Sequence, residues 1–252
     1  MSNLLNNGRP AATARSPRTW NFVETTFVAL IAYAVFALTG GPGAYVIVLF
    51  SQDDVQKLSS TQFQELLLQQ RWMGVALMIA CPPTLAVLWV AIRMAHREFA
   101  EYLALNWPTP REMGLAFAAA AGWIVAHMAV QMVLMPPQPL THSPVVAGGA
   151  AGLFFFLVGG CLAGPIMEEF VFRGFIYRGW SESFLGPVGA IVLTSALFGA
   201  YHTQYDVLGR FWVFLFGMIL CTFRRRSNST WLTVVVHSTV NIVLLFLSGP
   251  YV

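Results

Sequence analysis

Long, unbroken apolar runs leave this chain very little choice of fold. Residues 147–174 read AGGAAGLFFFLVGGCLAGPIMEEFVFRG, and six further stretches are nearly as apolar. A run of about 20 apolar residues is long enough to cross the hydrocarbon core of a bilayer as a helix. In lipid, every backbone N–H and C=O must find its partner within the protein, so only helices and closed barrels span. The runs here are continuous and do not alternate over about ten residues, which disfavours a barrel. Only 10% of residues are charged and mean hydropathy is +0.64, against about 25% charged in soluble domains.

The chain therefore reads as all-α, a polytopic transmembrane helical bundle of seven to eight helices. The predicted segments are about 22–50, 72–94, 113–135, 146–171, 186–202, 211–223 and 230–247. Gly40-Gly41-Pro42-Gly43 is expected to break or end the first, and Pro82-Pro83 to kink the second. The fourth should be followed by an interfacial stretch, 172–184. Residues 1–19 read as a disordered cytoplasmic tail, 20–145 as N-terminal membrane helices, and 146–249 as a second membrane region holding the polar motifs. The stretch ending QFQELLLQQ and the stretch REFAEYLAL read as short surface helices.

Charge sets an expected orientation. Arg9, Arg15 and Arg18 precede the first segment; Arg93, Arg97 and Arg111 follow the second; Arg173 and Arg178 follow the fourth; Arg224-Arg225-Arg226 follow the sixth. Basic residues thus recur on alternate loops, which puts the N-terminus inside and the C-terminus outside. A net charge of +3, gathered in these clusters, is not a nucleic-acid signature. Cys81, Cys161 and Cys221 lie in apolar segments and read as small core residues.

Against this background the polar groups inside the apolar runs stand out. Ionisable groups at membrane depth cost about 2.5–3.5 kcal/mol each on insertion scales and persist where they face partners or a wet cavity. Glu169 and Arg173 are four apart and share a helix face. Glu168 points about 100 degrees away, free to face a cavity. Two carboxylates this close resist joint ionisation, and Arg173 offsets that for one of them. A buried carboxylate so placed suits a general base for water; a helix-terminal salt bridge is the plainer alternative. Phe198 and His202 form F-x-x-x-H. His237 and Asn241 form H-x-x-x-N inside VVVHSTVNIVLL, where they need partners within the bundle. His127 could line the same cavity, His96 and His142 fall in loops, and Gly160-x-x-x-Gly164 reads as helix packing. Two histidines and a glutamate could also ligate a catalytic zinc, so Glu168, His202 and His237 leave that option open. Arg173 would oppose the cation.

The three motifs, EEFVFR at Glu168–Arg173, FGAYH at Phe198–His202 and HSTVN at His237–Asn241, resemble in order and spacing the CPBP family. These are also called Abi proteins and include the type II CAAX prenyl proteases and bacteriocin-processing enzymes. The resemblance covers roughly residues 150–245. It implies an intramembrane endopeptidase with helices around a catalytic cavity open to the cytoplasm. In that scheme Glu168 and His202 activate a water, and His237 and Asn241 hold the oxyanion. Glu169, Arg173 and Phe198 support the site, with no metal and no cofactor. The implied partners are a peptide or lipidated protein substrate and membrane lipid; the short loops and bare N-terminal tail suit a multi-pass protein of a prokaryotic plasma membrane, with oligomeric state left open. An immunity or regulatory protein that binds a peptide without cutting it is the alternative, and a proton-coupled transporter a more distant one, disfavoured by a short chain without inverted repeats.

One geometric demand follows. If segments four and five were simple spans, Glu168 and His202 would sit about 20 Å apart along the bilayer normal. The enzyme reading requires segment four to continue toward Tyr177, or segment five to start deep or tilt.

Overall fold

Side-chain caps mark where the apolar runs enter their helices. Asn21 Oδ1 accepts from the Glu24 backbone N–H while Glu24 Oε2 accepts from that of Asn21. Thr109 and Glu112 make the same reciprocal pair, with Pro110 at the first helical position; each such box satisfies donors that a helix start otherwise leaves free. Asp206 caps a third start through the Gly209 N–H.

In the computed structural model, residues 17–51, 59, 70–134 and 149–247 are described. They form α1 (Phe22–Ser51), α2 (Gln70–Met94), the single turn α3 (Phe99–Tyr102), α4 (Pro110–Leu134), α5 (Gly149–Ser181), α6 (Gly186–Tyr201), α7 (Val207–Ser227) and α8 (Thr230–Leu247). Six of them, all but α3 and α6, are long and apolar enough to cross a membrane, and the chain is a multi-pass helical bundle. Most of the predicted tail, 1–16, His142 and nearly all of the QFQELLLQQ stretch lie outside the described residues. REFAEYLAL holds α3.

Burial is inverted at the periphery, as a lipid solvent demands. Val23, Phe27 and Leu30 on α1 are more than half exposed, while Glu169 and Arg173 on α5 are fully buried. One core cluster packs α1, α2 and α6 around the α5 residues Phe170, Phe172, Phe175 and Trp180. A second, with Trp123, Phe216, Leu220 and Val236, joins α4, α7 and α8.

Two expectations are corrected. The Gly40–Gly43 stretch does not end the first helix, because α1 runs unbroken through Pro42 to Ser51. Gly40 there packs against Ala76 and Ala80 of α2, so tertiary contact supports a weak helical sequence. Nor does the fourth segment end at Val171 with 172–184 as a separate stretch after it. Helix α5 continues to Ser181, and Phe172 through Tyr177 are all buried.

Helix α5 is also wound unevenly. Two π-helical stretches, Gly159–Ala163 and Phe170–Ile176, flank the acidic pair. A proline ring clashes with the carbonyl four residues back in a regular helix, and the wider turn ahead of Pro165 accommodates it. This turn crosses α2 at closest range. A Cβ on Gly159 would come 2.0 Å from the Gly74 carbonyl oxygen, and one on Gly74 2.2 Å from that of Phe155. This crossing is tighter than that at Gly164, whose neighbour on α2 is Leu77.

The basic turns gather at one end of the bundle. The Arg18 N–H donates to the Ala95 carbonyl, Arg178 Nη1 donates to the Glu101 and Tyr102 carbonyls, and Asn106 Nδ2 donates to the Asn228 carbonyl. From this end the chain makes a hairpin: α5 arrives at Ser181 and α6 leaves at Gly186. Glu168 lies 13 residues before Ser181, roughly 20 Å of helix, and His202 lies 16 residues after Gly186, roughly 24 Å. The extension of α5 therefore brings the acidic pair and His202 to similar depth.

Candidate active site

The centre of the arrangement is Glu169. Its Oε1 accepts from Arg173 Nη1 at 2.9 Å, one turn along α5, and lies 2.8 Å from His237 Nδ1 on α8. Both Glu169 and Arg173 are fully buried. A buried ion pair stands only with good geometry and further partners. Here the guanidinium also lies over the Phe198 ring of α6, at 4.1 Å from its centroid, where the ring face attracts a cation. Room for it comes from α7, because a Cβ on Gly217 would sit 3.1 Å from Arg173 Nη2. Residues from α5, α6, α7 and α8 thus meet at one buried charge.

Glu168 faces differently. Its side chain retains 12% exposure, and its Oε2 is 3.9 Å from His237 Nε2. The His237 ring therefore has one nitrogen directed to each carboxylate. Because an ionised Glu169, paired with Arg173, can only accept, Nδ1 of His237 is the donor in that contact.

His202 ends α6, and its Nδ1 lies 2.8 Å from the Phe198 carbonyl oxygen. A carbonyl only accepts, so Nδ1 carries a proton, and in the neutral ring Nε2 is left with a free lone pair. The Glu168 carboxylate acts electrostatically on this ring. Phe198 packs edge-on between the two histidines, 4.6 Å from His202 and 5.9 Å from His237 between ring centroids. Asn241, one turn beyond His237, donates Nδ2 to the Gly160 carbonyl at 3.0 Å. That carbonyl belongs to the first π turn of α5, so the irregular winding gives α8 an anchor.

The described structure thus places Glu168, Glu169, Arg173, Phe198, His202 and His237 in one cluster, with Asn241 one turn beyond His237 and bonded to Gly160. His127 is elsewhere. It stacks on Trp123, with ring centroids 5.4 Å apart, and packs against Trp212, near Gln131 on its own helix. His96 lies in the turn after α2 with positive φ. Among the described residues no group of three or more His, Cys, Asp or Glu is set to hold a metal ion. Sequence reasoning gave no part to Tyr201, Tyr205 or Gly217. Tyr205 lies parallel to the His202 ring at 6.0 Å, and Tyr201 meets it edge-on at 5.5 Å. An aromatic three residues after the motif histidine was the available signal for Tyr205; Gly217 carried none.

The cluster holds a partly exposed carboxylate and an imidazole with a free lone pair, together with a second imidazole and an amide. Acid–base hydrolysis needs such groups. Residues 150–243, the stretch carrying all seven, match the family model described as Rce1-like, type II CAAX prenyl endopeptidase Rce1-like. No curated protein and no solved structure matches the chain.

Proposed function

We propose that this chain, which carries an Rce1-like domain over residues 150–243, is an intramembrane endopeptidase of glutamate type. The observation that carries this reading is the division of labour in the acidic pair. Glu169 is fully buried and tied to Arg173 and His237, whereas Glu168 is partly exposed and faces Nε2 of His237.

In the proposed reaction a water lies between Glu168 and Nε2 of His202. Its oxygen attacks the carbonyl carbon of the scissile peptide bond as its proton passes to this pair. The developing oxyanion is met by Nδ2–H of Asn241 and by Nε2–H of His237 in its imidazolium form. A preorganised donor at such a position is worth about 2.7–4 kcal/mol. The C–N bond then breaks, and the proton held by the Glu168–His202 pair goes to the departing amine. No covalent intermediate forms. Glu169 and Arg173 position His237, and Phe198 supports both the guanidinium and His202.

We propose that the reaction needs no metal. The buried Arg173 already supplies positive charge beside the carboxylates, and a divalent cation there would meet like charge. The substrate proposed is a membrane-associated peptide, in the narrower case one bearing a prenyl group near its C-terminus. The basic end of the bundle is proposed to face the cytoplasm, with the N-terminus on that side, in a prokaryotic plasma membrane.

The test is cleavage of prenylated and unprenylated peptides by purified protein in lipid. Wild type should cut at least one of them and Glu168→Ala neither. Equal products from wild type and Glu168→Ala would remove the assignment, and no cleavage of either peptide by wild type would favour a peptide-binding protein.

A further inference from the structure

A second polar feature lies at the basic end, apart from the acidic pair. A cleft of about 520 Å³ opens there between α3, the last turns of α5 and the α7–α8 turn. Arg178, Arg224, Arg225 and Asn228 line it, together with Glu101 and Glu182. Both acids are already matched. Glu101 is bonded to Arg97 and lies 3.1 Å from Arg178, and Glu182 lies 3.3 Å from Arg178.

Arg224 and Arg225 have no such match. Among the described residues no carboxylate pairs with either. Arg224 is 4% exposed; its Nη1 donates to the neutral Oδ1 of Asn228 at 3.0 Å, and its Nε has no hydrogen-bond partner. Its guanidinium also lies 5.8 Å from the centroid of the Tyr177 ring; a buried charge held only by neutral groups is costly, and here it stands in the wall of a polar cleft. An anionic ligand in the cleft would supply the counter-charge that the described residues do not.

The depth of the cleft narrows the source. Asn106, in its wall, is followed by Trp107, which is 74% exposed and stacks on Trp231 at 6.0 Å. Tryptophans of this kind sit at headgroup level, and basic pockets at that level bind anionic headgroups. We propose that this cleft is a binding site for a phosphate diester or monoester anion, presented by the headgroup of an anionic phospholipid, with Arg224 and Arg225 as its cationic wall.

The test uses the full chain in nanodiscs of phosphatidylcholine alone or with phosphatidylglycerol, and in detergent with inorganic phosphate. The readouts are the unfolding temperature and the lipid retained in native mass spectra. Phosphatidylglycerol should raise the unfolding temperature and leave one lipid bound. Arg225→Gln should weaken that binding about fivefold. Asn228→Asp places a carboxylate against Arg224; it should abolish lipid binding while remaining folded in phosphatidylcholine. Arg111→Gln, at the same end but outside the cleft, should bind as wild type does. Protection by phosphate equal to that by the lipid supports the anion site and assigns it to a soluble phosphoester. Protection by neither overturns the proposal, as does lipid binding unchanged in Asn228→Asp, or weakened as much by Arg111→Gln as by Arg225→Gln.

Discussion

His237 Nδ1 lies 2.8 Å from Glu169 Oε1, and the same carboxylate oxygen takes the Arg173 guanidinium at 2.9 Å. One atom therefore ties α5 to α8 and sets the direction of the imidazole. With Nδ1 committed to Glu169, Nε2 is the nitrogen directed to Glu168. The adjacent glutamates consequently stand in opposite settings, one buried as a hinge between helices and the other partly exposed.

Glu169→Gln should be a stability mutant first. It leaves Arg173 fully buried without a charge partner, a loss of about 3–5 kcal/mol for a broken buried pair. Thermal unfolding in detergent measures it, and Glu169→Gln/Arg173→Met should recover part of the loss. A single variant as stable as wild type would show that Glu169 does not hold the hinge.

Glu168→Gln should behave in the opposite way. Glu168 lies outside the fully buried Glu169–Arg173 pair, and its contact with His237 Nε2 is long, at 3.9 Å, so unfolding should shift by about 1 kcal/mol, well below the loss in Glu169→Gln. Peptide cleavage should fall by about 10²–10⁴, the usual worth of a general base. A destabilised yet active variant would reverse the roles of the pair.

Much of this site can be read along the chain because it is periodic. Glu169 with Arg173, Phe198 with His202 and His237 with Asn241 are each four apart, and on a helix each pair shares a face. Membrane segments are legible for a related reason, since lipid demands continuous apolar length. Irregular winding is what a regular period cannot convey. The first π turn of α5 depends on Pro165 and on the crossing at Gly74 and Gly159, and the continuation of α5 past Phe172 depends on burial against α1, α2 and α6. Gly217 is opaque for the same reason, because its meaning is a distance to a side chain 44 positions away.

Gly217→Ala tests that distance. The added Cβ would lie 3.1 Å from both Arg173 Nη2 and the Ser195 Cβ, and neither neighbour can withdraw, since both residues are fully buried. Overpacking of this kind costs about 1–3 kcal/mol. Gly114→Ala on α4, where a Cβ meets nothing within 4 Å, should be neutral or slightly stabilising. Unfolding temperatures of the two variants in one detergent decide it; equal values would mean Arg173 has room to shift.

The basic end should show its own acid sensitivity. Hydrogen bonds from Arg97 hold the Glu101 carboxyl below its ordinary value of 4.5, against a smaller opposing effect of burial. The folded state thus binds the Glu101 proton less readily than the unfolded chain does. Its contribution is complete above pH 4.5 and fades as pH falls through the lower folded value. Glu101→Gln should lose this dependence, flattening the acid side of an unfolding-temperature profile. Parallel profiles for the two proteins would contradict it. The effect should be modest, because the carboxylate is half exposed.

Asn241 separates anchoring from chemistry. One N–H of its amide goes to the Gly160 carbonyl at 3.0 Å, and the second remains for an oxyanion. Asn241→Ala removes both, and kcat should fall by about 10²–10³ with KM little changed, as for loss of an oxyanion donor. The lost hydrogen bond to Gly160 should cost about 1 kcal/mol of stability. If the amide only braces the π turn, the same loss of stability should come with kcat preserved. Steady-state kinetics on a cleaved peptide, taken with unfolding curves for the same preparation, separate the two outcomes.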